Sequence, residues 1–275
     1  MHSRPRNTEN TLIAKPRGVF RPAPTRGALR ASRGVRRGSS SGPRAWAGSV
    51  ALVLTLGAVW PACAANAQSP QPSSSRESEV SRWNRDAFAA YERDDLPLAL
   101  SLYQKAARAG DPSAKYNLAV MRVRDETTRP SLDDALRLLR ESASAGFAPA
   151  QFMLGSMLDA GQFVTRSSAE AARWFGLAAK QGHPDAALAL GLQYFLGRGV
   201  AQDYALAARW YRQAAEADDV AAQYILASMY EQGLGVAADL ESALLWYTAA
   251  ARQGDVAARV KAKALVERMA RERES

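Results

Sequence analysis

Arg137, Arg173 and Arg209 are spaced 36 residues apart. A guanidinium presents a planar fork of N–H donors that grips a carboxylate or phosphate through two parallel hydrogen bonds. Three such groups at one interval, carried on equivalent helices, would form a row. An acidic peptide, or a carboxylated or phosphorylated glycan, could run along it. The competing reading is a row of solvated charges, the ordinary place for charge on a helix surface.

Catalytic chemistry has little to work with. Beyond the leader the chain has one histidine, His183, beside Pro184, and its single cysteine is Cys63. A metal site needs several ligands at set spacing, so His183 is read as a solvated turn residue and no metal or cofactor is expected. Residues 68–275 hold no G-x-S-x-G, H-E-x-x-H, G-x-x-x-x-G-K-[ST] or S-x-x-K pattern. Gly197-x-Gly199 follows a predicted helix rather than a strand, which fits a helix C-cap better than a phosphate loop. Acidic pairs such as Asp133-Asp134 sit at helix starts, where they suit the helix dipole. A hydrolase would need a nucleophile–base pair that is missing here, so the chain is read as a non-enzyme with no catalytic residues.

What positions the arginines is a repeat. Trp174, Trp210 and Trp246 share the 36-residue interval, and each precedes a second apolar residue, Phe175, Tyr211 or Tyr247, with Tyr103 and Leu139 in the same slot of earlier copies. Ala99, Ala135, Ala171, Ala207 and Ala243 recur likewise. A fixed period of 20 to 50 residues marks a repeat architecture. Each copy opens on a capping residue: Asp95, Ser131, Ser167, Asp203 or Asp239. Ser167 and Glu170 also have the spacing of a capping box. Helix A follows, with an apolar stripe at three- and four-residue steps and small residues near its end (Ala106, Ala143, Ala178, Ala214, Ala250) that allow a neighbour to approach closely. The tryptophans are expected to anchor the core, so Trp210→Ala should cost roughly 3–5 kcal/mol. Gly110, Gly146, Gly182 and Gly254 end helix A in a left-handed turn, and Asp218 takes that slot once. Helix B carries Ala114, Ala150, Ala186, Ala222 and Ala258, then Leu118, Leu154, Leu190 and Leu226 on the same face. The loop after helix B reads Gly197-x-Gly199-Val200 and Gly233-x-Gly235-Val236, with Phe163 at the second glycine slot of an earlier copy. The stretch from Ala99 to Val123 departs from this and reads as a variant end repeat. The last helix, 256 to about 272, turns strongly charged, as a terminal capping element requires.

The stretch "AARWYRQAAEADDVAAQYILASMYEQGLGV" resembles the Sel1-like repeat, with its A-x-x-W-Y-x-x-A-A, turn Gly, A-x-x-x-L-G/A-x-x-Y and G-x-G-V pattern. The resemblance spans about 95–272, in five copies, and is similar to tetratricopeptide folds. It implies an all-α, right-handed α-solenoid of about five helix-turn-helix repeats, with an extra N-terminal helix and a charged C-terminal capping helix. It also implies a scaffold or adaptor role. Exported bacterial members are implicated in envelope regulation, polysaccharide export assemblies and host contact. One branch clasps each repeat with a disulfide; this chain lacks those cysteines.

Composition sets the compartment and excludes one partner class. Of 36 Lys+Arg and 27 Asp+Glu, residues 1–67 hold 11 basic residues and only Glu9. The remainder has net charge −1, so the body offers no general phosphate attraction and no nucleic-acid partner is expected. Residues 1–44 are Arg-, Pro-, Gly- and Ser-rich, the composition of a disordered leader. Residues 45–67 carry no charge, break at Pro61 and end in Ala65-Asn66-Ala67, the order of a signal peptide. The alternative is a signal anchor, since 23 uncharged residues can span a bilayer. Either way the repeats are exported, the periplasm being the expected compartment, with membrane contact only through an uncleaved leader. Residues 68–80 read as a flexible linker, 81–94 as an N-terminal helix and 95–272 as the solenoid. The sequence therefore points to an envelope scaffold that binds a protein partner, with a glycan- or peptidoglycan-binding module as the alternative.

Overall fold

The computed structural model describes residues 74–124 and 131–274. The basic leader, the apolar segment with Cys63 and most of the loop after Val123 lie outside them. The described residues form eleven helices: α1 (Ser74–Glu92), α2 (Leu96–Arg108), α3 (Pro112–Val123), α4 (Leu132–Ser144), α5 (Ala148–Ala160), α6 (Ser168–Lys180), α7 (Pro184–Leu196), α8 (Tyr204–Glu216), α9 (Val220–Gln232), α10 (Leu240–Arg252) and α11 (Val256–Glu274). No strand occurs among the described residues, and no helix there is long and apolar enough to cross a membrane. From α2 onward, A and B helices alternate, and each packs chiefly on its sequence neighbours. The chain is an all-α solenoid.

Local chemistry starts each A helix where the spacing placed it. The side chains of Asp95, Ser131, Ser167, Asp203 and Asp239 accept the backbone N–H of Leu98, Asp134, Glu170, Leu206 and Ser242, at 2.9–3.4 Å. The expected capping box is only half made. The Ser167 N–H is taken by the Leu158 carbonyl at 2.9 Å, so nothing remains there for Glu170 to accept.

One residue per repeat joins A to B. The N–H of Asp111, Phe147, His183, Asp219 and Asp255 closes the preceding A helix on the carbonyls of Ala106, Ser142, Ala178, Ala214 and Ala250, at 3.1–3.2 Å. The same side chains then cap the B helix in four copies, from Asp111, His183, Asp219 and Asp255 to the N–H of Ala114, Ala186, Ala222 and Ala258. Phe147 has no such group and leaves α5 without a side-chain cap. Before this residue the turn is left-handed, with Asp218 at φ +64° where the other copies hold glycine.

The core is built from small residues around one large residue per A helix. Tyr103, Leu139, Phe175, Tyr211 and Tyr247 are buried, as are Leu118, Leu154, Leu190 and Leu226 of the B helices. The tryptophans are not the main anchor. Trp174, Trp210 and Trp246 are half-buried, and the residue after each points inward. Adjacent helical residues lie about 100° apart, so only one of the two can face the neighbouring repeat. The buried ring meets the preceding B helix at a small residue: a Cβ on Gly155 would come within 2.8 Å of the Phe175 ring, and one on Gly191 within 2.9 Å of Tyr211. Each B helix packs on the next A helix more extensively than on its own, so a pair of helices cannot bury its stripe alone. The B-to-A loops seat on backbone. A Cβ on Gly235 would lie 2.1 Å from the Tyr204 carbonyl oxygen, and one on Gly199 2.3 Å from the Ser168 carbonyl carbon. Phe163, in that slot one copy earlier, is held at φ +63° and stays exposed.

Amides bridge successive repeats. Gln181 donates to Gln151 at 2.8 Å, and Gln253 to Gln223 at 3.0 Å. The intervening copy has Ala187 and Ala217 at these two positions. The carbonyls of Ala143, Ala179 and Ala215 near the ends of α4, α6 and α8 accept from Gln151, Gln213 and Gln223.

The ends differ from expectation in one respect. α1 begins at Ser74, inside the stretch read as linker. No glycine or proline follows Pro72 there, and Glu77 and Glu79 lie near the helix start, where the dipole favours them. α1 packs on α2 as a B helix packs on the next A helix. At the other end α11 exposes Arg259, Lys261, Lys263, Glu267, Arg268 and Arg271, the charged outer face of a terminal element.

Candidate functional site

The repeat register puts Arg137 on α4, Arg173 on α6 and Arg209 on α8, each exposed and each just before the large apolar pair. Successive A helices touch directly: Gln213 of α8 donates to the Ala179 carbonyl of α6 at 2.6 Å. The same slot holds exposed Ser101 on α2 and exposed Leu245 on α10.

The three arginines are not equivalent. Arg137 bonds Glu141 at 2.8 Å and Asp134 at 3.3 Å. Glu141 also meets Lys115 at 2.9 Å, and Asp134 meets Arg122 at 3.1 Å. Hydrogen bonds from Lys115 and then Arg137 hold the Glu141 carboxyl below the usual carboxylate range. The Arg137 guanidinium is thus occupied within its own helix. The signal was present in the sequence, since acids stand three residues before Arg137 and four after it. Arg173 has no ion-pair or hydrogen-bond partner among the described residues, and Arg209 lies 5.9 Å from the centroid of the Trp210 ring, a distance at the limit of cation–π attraction. Two open guanidiniums on neighbouring helices therefore remain. The tryptophans beside these slots are half-buried.

His183 is not solvated. It is 8% exposed, stacks on Phe152 at 4.9 Å, and its Nδ1 accepts the Ala186 N–H at 3.4 Å. Burial pushes its pKa down to about 4. It stands in the slot that Asp111, Asp219 and Asp255 fill elsewhere, so its work is to start α7. The turn glycines Gly110, Gly146, Gly182 and Gly254 all have positive φ and open space at the missing Cβ; they are backbone devices. Gly197, at φ +66°, is the C-cap of α7. Among the described residues no group of three or more His, Cys, Asp or Glu side chains could hold a metal ion.

These features define a repeat solenoid, in which stacked helix pairs make an extended surface for contact. The Sel1 repeat model matches residues 90–111, 112–147, 148–183, 184–219 and 220–255, and the chain belongs to the Sel1 repeat family. Four matched units run from a B helix through the following A helix, half a repeat out of phase with the frame read from the sequence; the first holds α2 with only the end of α1, and α11 lies beyond the last. The chain is similar to a Sel1 repeat protein from Oxalobacter formigenes, at 34% identity and TM-score 0.58, over 61% of this chain and 49% of that one. It is also similar to a protective antigen present in uropathogenic Escherichia coli strains displaying an SLR fold, at 33% identity and TM-score 0.55, over 58% of this chain and 34% of that one. The alignments thus span about half of the first protein and about a third of the second. No curated protein matches the chain. Membership in this family accounts for the repeated helix pairs of the solenoid.

Proposed function

We propose that this protein is an exported adaptor of the bacterial cell envelope that binds a protein partner on the exposed face of its A helices, with Arg173 and Arg209 as the contact charges. In this reading residues 1–67 direct export, and the segment up to α1 separates the solenoid from the leader. The observation that carries the proposal is the contrast within the arginine row. Arg137 is occupied by its own helix, while Arg173 and Arg209, in the same slot on neighbouring helices, point two guanidiniums outward. A guanidinium in a fixed place suits a carboxylate presented by a partner.

The test is a crosslinked pull-down on envelope extract with the parent chain and an Arg173→Ser/Arg209→Ser variant of unchanged melting midpoint. A discrete protein retained by the parent and lost by the variant is the expected result. Capture of polysaccharide or peptidoglycan fragments alone would overturn the protein-partner reading in favour of a glycan module. Equal capture by both forms would return the arginines to solvent.

A further inference from the structure

The arginine row ends in an apolar groove. Leu245 occupies the arginine slot on α10 and is 65% exposed. It lines a groove with Leu244 and with Met269 from α11, rimmed by Glu241, Arg252 and Arg273. The counterparts of Leu244 on inner A helices, Leu136, Ala172 and Ala208, are buried, whereas Leu244 is only half-buried. Arg252 and Arg273 are exposed and make no ion pair among the described residues.

We propose that this groove takes one large apolar side chain from an acidic segment of the partner, whose carboxylates lie on Arg209 and Arg173. The proposal rests on the reading of the arginine row as a partner-binding face. Charge complementarity selects the occupant: at the groove two arginines, Arg252 and Arg273, stand against one carboxylate, Glu241, and Arg209 and Arg173 continue along the row with no ion pair among the described residues. The apolar floor selects protein over glycan, because an acidic sugar polymer carries carboxylates but no large aliphatic or aromatic side chain.

The register sets a spacing. Packed helices lie about 8–10 Å apart, and an extended chain advances about 3.3–3.6 Å per residue. One step along the row therefore matches about three residues of an extended peptide. The recognised pattern is Glu-x-x-Glu-x-x-Phe or its reverse, with the two acids on Arg173 and Arg209 and the ring in the groove.

The test is fluorescence anisotropy on the full chain at low salt. The probes are fluorescein-labelled Glu-Gly-Ser-Glu-Gly-Ser-Phe, the reversed order, and the same peptides with Phe replaced by Ser. The Phe peptide in its better orientation should bind about tenfold tighter than its Ser counterpart, the scale of one buried anchor. Leu245→Ser should remove that difference while leaving the Ser peptide unchanged. The Arg173→Ser/Arg209→Ser variant should weaken both peptides about tenfold or more. If the Phe and Ser peptides bind the parent equally, the groove assignment is overturned without any variant being needed. If that happens while the double variant still weakens both, the arginine face stands and only the groove falls. If the double variant changes neither peptide, both readings fall. Absence of binding for every peptide also overturns the proposal.

Discussion

Gly235→Ala tests whether the solenoid is held by close backbone approach between repeats. Two costs act at once. The residue sits at φ +67°, where an L side chain costs about 1–2 kcal/mol. The new Cβ would also lie 2.1 Å from the Tyr204 carbonyl oxygen and 2.6 Å from the Ala205 nitrogen. Both neighbours are backbone at the start of α8, so no rotamer change relieves the contact and the loop must lift from α8. Overpacking of this kind adds about 1–3 kcal/mol, which gives a total of about 2–5 kcal/mol. Gly254→Ala isolates the first cost, because Gly254 has φ +100° and nothing within 4 Å of the added carbon. It should lose only about 1–2 kcal/mol. Urea unfolding followed by circular dichroism gives both values. Equal losses for the two variants would refute the reasoning, since close approach would then contribute nothing.

Three further outcomes are expected. Asp218→Gly, at φ +64°, should raise stability by about 0.5–1 kcal/mol; a lower melting midpoint would contradict it. Tyr211→Ala should cost about 3–5 kcal/mol and exceed the loss from half-buried Trp210→Ala, with the reverse order in urea midpoints as the contrary result. His183 binds its proton less readily folded, at a pKa of about 4, than unfolded, near 6.5. Between these values the unfolded chain holds more protons, so stability falls as pH falls. The loss from pH 7 to pH 5 should be about 2 kcal/mol, and His183→Asn, which keeps a cap without titrating there, should lack this part of the slope.

Helix starts were legible because capping chemistry is local: an Asp or Ser side chain needs only the N–H groups two or three residues on. The period then fixed the number of copies. Which of two adjacent aromatic residues faces inward was not legible, because Trp210 and Tyr211 are both apolar and only the neighbouring B helix, with Gly191, chooses between them. His183 misled for a related reason. A turn histidine reads as solvated until Phe152, 31 positions earlier in the chain, is seen stacked on it. The caps of the B helices were hidden because the slot varies: Asp, Phe, His, Asp, Asp. The pairing of Arg137 was readable from Asp134 and Glu141. The apolar groove by Leu245 was not, since it depends on where α11 brings Met269.

The glutamine pairs bear on how such an array can be lengthened or shortened. Gln151 on α5 and Gln181, the C-cap of α6, both lie within residues 148–183, and Gln223 on α9 and Gln253, the C-cap of α10, both lie within residues 220–255. Breakpoints at the short turns therefore carry each amide together with its partner. Breakpoints at the longer loops separate them: excision of residues 167–202 would set Gln151 opposite Ala217 and strand a buried amide oxygen. Excision at one kind of junction then keeps the glutamine pairs and excision at the other breaks one, and chimeras spliced at the turns inherit both pairs whole.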